Sequence, residues 1–388
     1  MSNVRKTKLV AFIAVLAFVS MAAGAVYYFF LKPDPPLENT FVTDESTIRN
    51  SGSANPPEQT EIEPAPLPSA TNTLPSSYLL PPSKHTYQTF NNCGPATLSM
   101  FLSYFDINVD QKTLGDQMRP YQNPKGDNDD KTIFPAEFTQ WASRYGQHKG
   151  LKVFYRPNGS IELLKQFLSH DIPVVAKTLL NQKEDIGHFI IVRGYDDAKQ
   201  TIIVDDSYYG PNKKYSYYDF LSLWQPFNYS YIVGFEDEKS HIASNILGTE
   251  YDEKVAWQNT VTRAHKEHEL APESIYPLYN LTVGYYHTGD YENSIKYFEE
   301  VEGRLPRRMM WYQIEPIKAY MQAGNYDRAR SLIDKILNDG NRAFSELYYI
   351  RGQIYLERGE VDKAKNEFEE AVFYNSGYEE AKQALESL

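Results

Sequence analysis

A chain of 388 residues carries a single thiol. Cys93 stands in Asn92-Cys93-Gly94-Pro95, and Leu98, Phe101, Leu102 and Phe105 follow at i, i+3, i+4 and i+7 spacing, one face of a helix. Gly94 permits a tight entry, and Pro95 is tolerated in a first helical turn, where its missing N–H has no partner to lose. A cysteine there sees unpaired N–H groups and the positive end of the helix dipole, both of which favour the thiolate. Free cysteines are ordinarily small buried hydrophobes, so chemistry at Cys93 requires a base and a group to orient it.

Of the eight histidines, His188 alone opens a β-branched run (188–197) and follows a glycine. The next run, 200–207, ends in Asp205 and Asp206, and the short turn between the two predicts an antiparallel pair. Either carboxylate then reaches the imidazole from the neighbouring strand. Further strands are expected at 171–180 and 229–237. A helix-borne Cys, a strand-borne His and a carboxylate on the adjacent strand follow the order of thiol enzymes that attack an amide carbonyl and protonate the leaving amine. His265 and His268 fall on a charged helical stretch and read as a solvated face. Residues 127–131, Asp-Asn-Asp-Asp-Lys, lack the Gly and Glu that complete a calcium loop and read as a polar loop. No cofactor and no metal is called for.

Five stretches strengthen this order: 91–100 (NNCGPATLSM), 129–146, 159–177, 187–197 and 203–224. Together, over residues 79–238, they resemble the C39-like peptidase family. The resemblance implies a papain-like α+β domain, helices first and an antiparallel sheet after. Cys93 matches the family nucleophile and His188 its general base. The family's Asn-Asp-Pro-Tyr turn corresponds to Asp205-Asp206-Ser207-Tyr208, which makes Asp206 the expected acid and Asp205 its rival. Gln88 matches the glutamine that helps hold the oxyanion, although it precedes Cys93 by five residues where transporter-linked members place it six before; Asn92 or backbone N–H groups are able to share that role. No G-x-x-x-x-G-K-[ST] motif is present, so no nucleotide-driven transporter is attached.

A net charge of −12 argues against a nucleic-acid partner, because phosphate contacts need clustered Lys and Arg. One cysteine permits neither an internal disulfide nor a thiolate zinc cluster. After Arg5, Lys6 and Lys8 in segment 1–8, the uncharged run 9–31 would span ~34 Å as a helix, enough for a hydrocarbon core of ~30 Å. It is longer than a signal-peptide core, so a single-pass membrane anchor is expected, with the N-terminus cytoplasmic and the folded domains extracytoplasmic. Residues 32–78, rich in Pro, Ser, Thr and Glu, read as a disordered tether.

The C-terminal part, 250–388, repeats. Gly289, Gly324 and Gly359 are spaced by 35 residues, close to the helix–turn–helix period of ~34. Ser294, Ala329 and Ala364 follow them at one offset, Phe298, Ile333 and Phe368 at the next, then Val301, Ile336 and Ala371. These segments resemble tetratricopeptide repeats, with an additional helix at 254–270 and a closing one near 378–387. Such stacks bind peptides on a concave face, for which Tyr279, Tyr286 or Arg351 are the candidates. The expected function is a membrane-anchored cysteine peptidase whose repeats recruit a protein partner or substrate. The alternative is a non-catalytic peptide-binding scaffold.

Overall fold

The computed structural model describes residues 74–118 and 133–388. The expected anchor (9–31), all of the tether (32–78) but its last residues, and the 127–131 loop lie outside the described residues. Among the described residues no helix is long and apolar enough to cross a membrane.

Strand β1 (Ser77–Leu79) is followed by α1 (Cys93–Leu102), α2 (Gln111–Met118) and α3 (Pro135–Gly146). Then come β2 (Lys152–Arg156), α4 (Ile161–Ser169), β3 (Val174–Asn181), β4 (Glu184–Asp196), β5 (Thr201–Asp206) and β6 (Gly210–Ser216). Helix α5 (Tyr217–Trp224), β7 (Tyr231–Phe235) and α6 (Ser240–Leu247) complete this part. The strands form one antiparallel sheet in the order β2-β7-β3-β4-β5-β6, with β1 paired to the far end of β4. The expected 188–197 and 200–207 pair is β4 and β5. Strand β6, with its run of exposed Asn212, Lys213 and Lys214, is the polar edge of the sheet, so no apolar alternation marks it in the sequence.

Alternating side chains sort to the two faces of the sheet. Val175, Phe189, Ile191 and Ile232 pack with Leu98, Phe101 and Leu102 of α1 and Phe138 of α3. Val174, Ala176, Ile190, Val192 and Val233 pack with Phe167 of α4, Trp224 of α5 and Leu247 of α6. Helix α6 therefore belongs to the sheet domain's core and carries it past residue 238.

Helix α7 (Glu253–Leu270) leads into the pairs α8/α9 (Ile275–Thr288, Tyr291–Val301), α11/α12 (Glu315–Gln322, Tyr326–Asn338) and α13/α14 (Ser345–Glu357, Val361–Tyr374), with the one-turn α10 (Met309–Tyr312) between the first two and α15 (Glu379–Glu386) closing. Gly289, Gly324 and Gly359 take left-handed φ values of 86, 70 and 72°, which let each first helix stop sharply before the next begins. Ser294, Ala329, Ala364, Phe298, Ile333, Phe368, Val301, Ile336 and Ala371 are all buried, as the repeat offsets require.

Of the three candidates for a binding face, Tyr279 is ruled out. Its ring is fully buried and its hydroxyl donates to the Gln313 carbonyl at 2.7 Å, so it serves the repeat core. Arg351 is held between Asp334 and Glu367 at 2.7 and 2.8 Å. His265 is half-buried: its Nε2 lies 2.7 Å from the Tyr285 hydroxyl, and its ring sits edge-on to Tyr285 and Tyr297.

The described residues belong to a single compact unit. Leu179, Leu223 and Phe227 of the sheet domain are part of the same apolar core as the repeat residues Leu278, Trp311 and Ile314. A chain ending after Leu270 should expose these three side chains and lose stability on the order of 5 kcal/mol. Urea melts of the two lengths check this; equal midpoints and slopes would show that the repeats add nothing to the sheet domain.

Candidate active site

Cys93 is the first residue of α1, and Asn91 before it takes a left-handed φ of 52° that turns the chain into the helix. The next position is tight: a Cβ on Gly94 would lie 3.0 Å from the Ile133 side chain. One turn on, the buried Thr97 hydroxyl donates to the Phe189 carbonyl at 3.0 Å. That bond pins the helix carrying the thiol to the residue after His188.

The register of β4 and β5 separates the two aspartates. Ile190 is opposite Asp206 and Ile191 is opposite Asp205, so the two carboxylates point to opposite faces. His188 precedes Ile190 by two residues and shares its face. Its Nε2 lies 2.9 Å from Asp206 Oδ1, and both side chains are almost completely buried. The same oxygen accepts the N–H groups of Tyr208 and Tyr209 at 2.7 and 3.1 Å, while His85 Nε2 meets the Asp206 carbonyl at 2.9 Å. With Nε2 given to Asp206, Nδ1 is the nitrogen left for the hydrogen bond to Cys93.

Burial pushes the His188 imidazolium toward losing its proton. The hydrogen bonds to Asp206 and Cys93 and the charges they carry outweigh it, raising the pKa to about 9. Burial likewise opposes the Asp206 carboxylate, yet the His188 hydrogen bond and charge, with the two backbone N–H groups, hold it below the usual range. Asp205 has a different occupation: it accepts from Ser83 Oγ at 2.8 Å, Arg193 Nη1 at 3.2 Å and the Asn212 N–H at 3.1 Å.

Gln88, Cys93 and His188 line one cavity of about 420 Å³. The Ser207 hydroxyl donates to Gln88 Oε1 at 2.9 Å, and the Gln88 N–H donates to the Ser207 carbonyl at 2.8 Å, which leaves the amide NH2 as the donor end available to an oxyanion. Asn92 does not share this wall. Its amide nitrogen faces Gln111 on α2 at 3.4–3.5 Å, because the helix start turns it away from the cleft.

Several wall residues were not anticipated. Arg308, Trp311 and Tyr312, from the α10 segment, close the cavity from the repeat side. Arg308 Nη1 donates to Asp185 at 2.6 Å and its backbone N–H to the same carboxylate at 2.8 Å. The Tyr312 ring lies so close over Gly187 that a Cβ there would meet it at 3.0 Å. No local periodicity announces such a contact across 120 residues. Lys177, also in the wall, did leave a signal: it occupies the interior stripe Val175-Lys177-Leu179 of a central strand, where a charge is costly. Among the described residues no group of three or more His, Cys, Asp or Glu is placed to hold a metal ion.

Residues 80–232 match the Peptidase_C39 like family, and residues 345–375 match the tetratricopeptide repeat. No curated protein matches the chain. Among solved structures, MamA 41-end from Desulfovibrio magneticus RS-1 is 17% identical, with a TM-score of 0.32 over 38% of this chain and 82% of that one. YrrB, described as a TPR protein with an unusual peptide-binding site, is 15% identical, with a TM-score of 0.32 over 39% and 77%. The first TPR of Spaghetti (RPAP3), bound to an HSP90 peptide, is 17% identical, with a TM-score of 0.27 over 30% and 90%.

Replacing Asp205 by Ala leaves the Arg193 guanidinium buried and unpaired and should destabilise the fold by about 3–5 kcal/mol. Thr97→Val, which orphans the Phe189 carbonyl, should cost about 1–3 kcal/mol and slow alkylation of Cys93. Denaturant melts and iodoacetamide rates check both; an unchanged Cys93 rate in Thr97→Val would mean that this bond does not set the Cys–His distance.

Proposed function

Because the chain joins a C39-like peptidase-family domain to C-terminal tetratricopeptide repeats, we propose that it is a cysteine peptidase. The observation that carries this reading is the line that runs from Cys93, half-buried in the cleft, through the His188 imidazole in the same wall to the buried Asp206 carboxylate behind it. A thiolate at Cys93 attacks the carbonyl carbon of a peptide bond, and the oxygen takes up the negative charge beside the Gln88 amide and the first-turn N–H groups of α1. His188 then delivers its Nδ1 proton to the amide nitrogen, the C–N bond breaks, and the amine leaves. Water attacks the thioester, His188 accepts its proton, and the carboxylic acid and thiolate are released. Asp206 keeps the Nε2–H in place throughout and stabilises the imidazolium.

The repeats recruit a protein partner or the substrate itself, as stacked helical pairs do along a concave surface. The same proposal holds the chain in a membrane by segment 9–31, with the folded domains outside the cytoplasm. Protease added to intact cells should then degrade the repeats; full protection would overturn this placement.

Two measurements test the chemistry. Cys93→Ala should abolish cleavage of a peptide library by the purified full chain; retained cleavage would refute the peptidase, and a wild type that binds peptides without cutting them would favour the scaffold. The pH dependence follows from His188. Its protonated form, needed by the leaving amine, persists until pH rises through about 9, so kcat/KM should fall along an alkaline limb near that value. Asp206→Asn removes the partner that raises His188, and should move that limb down toward the ordinary imidazole value of ~6.5 while lowering kcat by up to about 10⁴. For stability the sign is the same: the His188 contribution is complete below ~6.5 and is lost as pH rises through about 9. A limb that stays put in Asp206→Asn would remove Asp206 from the mechanism.

A further inference from the structure

Lys177 is a cation in the wall of the cleft on which the Cys93 charge acts, but with which no carboxylate among the described residues pairs. Its side chain is 4% exposed and enters the cavity that also holds Cys93 and His188. The ammonium sits 4.0 Å from the ring centre of Phe189, 5.1 Å from that of Tyr312 and 5.6 Å from that of Phe227, so three aromatic faces cup it. Ring faces attract a cation but do not replace the hydrogen bonds that an ammonium makes in water. The other charged groups of the cavity are committed elsewhere. Arg308 is bound to Asp185, Glu184 accepts the Asn181 amide at 2.9 Å, and His188 is paired with Asp206. Among the described residues no carboxylate forms an ion pair with Lys177.

Resting on the reading of Cys93 as the nucleophile, we propose that Lys177 is a specificity residue that receives a carboxylate of the substrate. The enzyme then prefers amide bonds beside an acidic side chain or beside a free C-terminal carboxyl group. Burial already pulls the Lys177 ammonium down to about 8, against the upward push of the Cys93 charge; it remains mostly protonated at neutral pH, and an arriving carboxylate restores the solvation that it lacks. Two of the three rings come from the sheet domain and Tyr312 from the repeat side, so the subsite is complete only with both parts in place.

Cys93 is the only cysteine, which makes alkylation of the full chain a one-site reading. Iodoacetate carries the carboxylate and iodoacetamide is its neutral counterpart. Relative to free cysteine, the ratio of iodoacetate to iodoacetamide rates at Cys93 should be raised, and Lys177→Met should lower it about tenfold, the worth of one charged hydrogen bond, while Lys177→Arg retains most of it. Thermal melts show that each variant is folded. If Lys177→Met slows both reagents equally, Lys177 only stabilises the thiolate and the subsite is refuted. If wild-type Cys93 reacts with neither reagent faster than an ordinary thiol, the nucleophile reading fails instead. Paired peptides then identify the source: a Glu-over-Gln preference lost in Lys177→Met assigns an acidic side chain, and an acid-over-amide preference at the C-terminus assigns the terminal carboxyl group. Lack of both preferences in an active enzyme overturns the proposal.

Discussion

The sealed contact between His188 and Asp206 is the constraint to which the remaining architecture answers. A buried imidazolium and a buried carboxylate are each expensive alone, and they persist together because each supplies the charge and hydrogen bond that the other lost with water. Their pairing requires both side chains on one sheet face, which the register of β4 with β5 provides. It also requires a tightly held acceptor, and the Tyr208 and Tyr209 N–H groups, with His85 behind the backbone, supply that. Cys93 needs only to be brought to the remaining imidazole nitrogen. The Thr97–Phe189 bond and the packing of Gly94 on Ile133 accomplish this with one helical turn.

The repeat region takes part in the same geometry. Its first inter-repeat segment supplies Arg308, Trp311 and Tyr312 to the cavity wall, and a shared apolar core runs from Leu179 and Phe227 into the stacked helices. An appendage tied only by a linker would leave the cleft open on that side. Here the cleft and the repeat array share a wall, joined by the Arg308–Asp185 contact.

Much of this was legible in residue order because the interactions are local. The helix at Cys93 and the hairpin of β4 and β5 each follow from a period or a turn within a dozen residues, and the three glycine-terminated repeat helices from a regular 35-residue spacing. The choice of Asp206 over Asp205 needed only the alternation of strand side chains once the register was known. Other features depend on distant contacts. Asn92 shares Cys93's helix start, yet its direction is set by Gln111 on another helix. Tyr279 has the look of a surface aromatic until the Gln313 carbonyl is seen to hold its hydroxyl inside the stack. Lys177 interrupts an apolar stripe, and only the cleft behind that stripe gives the interruption a purpose.

The most direct test of the His188–Asp206 constraint is a nuclear magnetic resonance titration of the His188 ring nitrogens in the full chain. The imidazolium should persist to a pH of about 9, with its Nε2 proton shifted downfield by the buried, charge-assisted bond to Asp206, and should titrate lower once Asp206 is replaced by Asn. An imidazole that loses its proton near the ordinary value of ~6.5 in the wild-type chain, with no downfield proton, would contradict it.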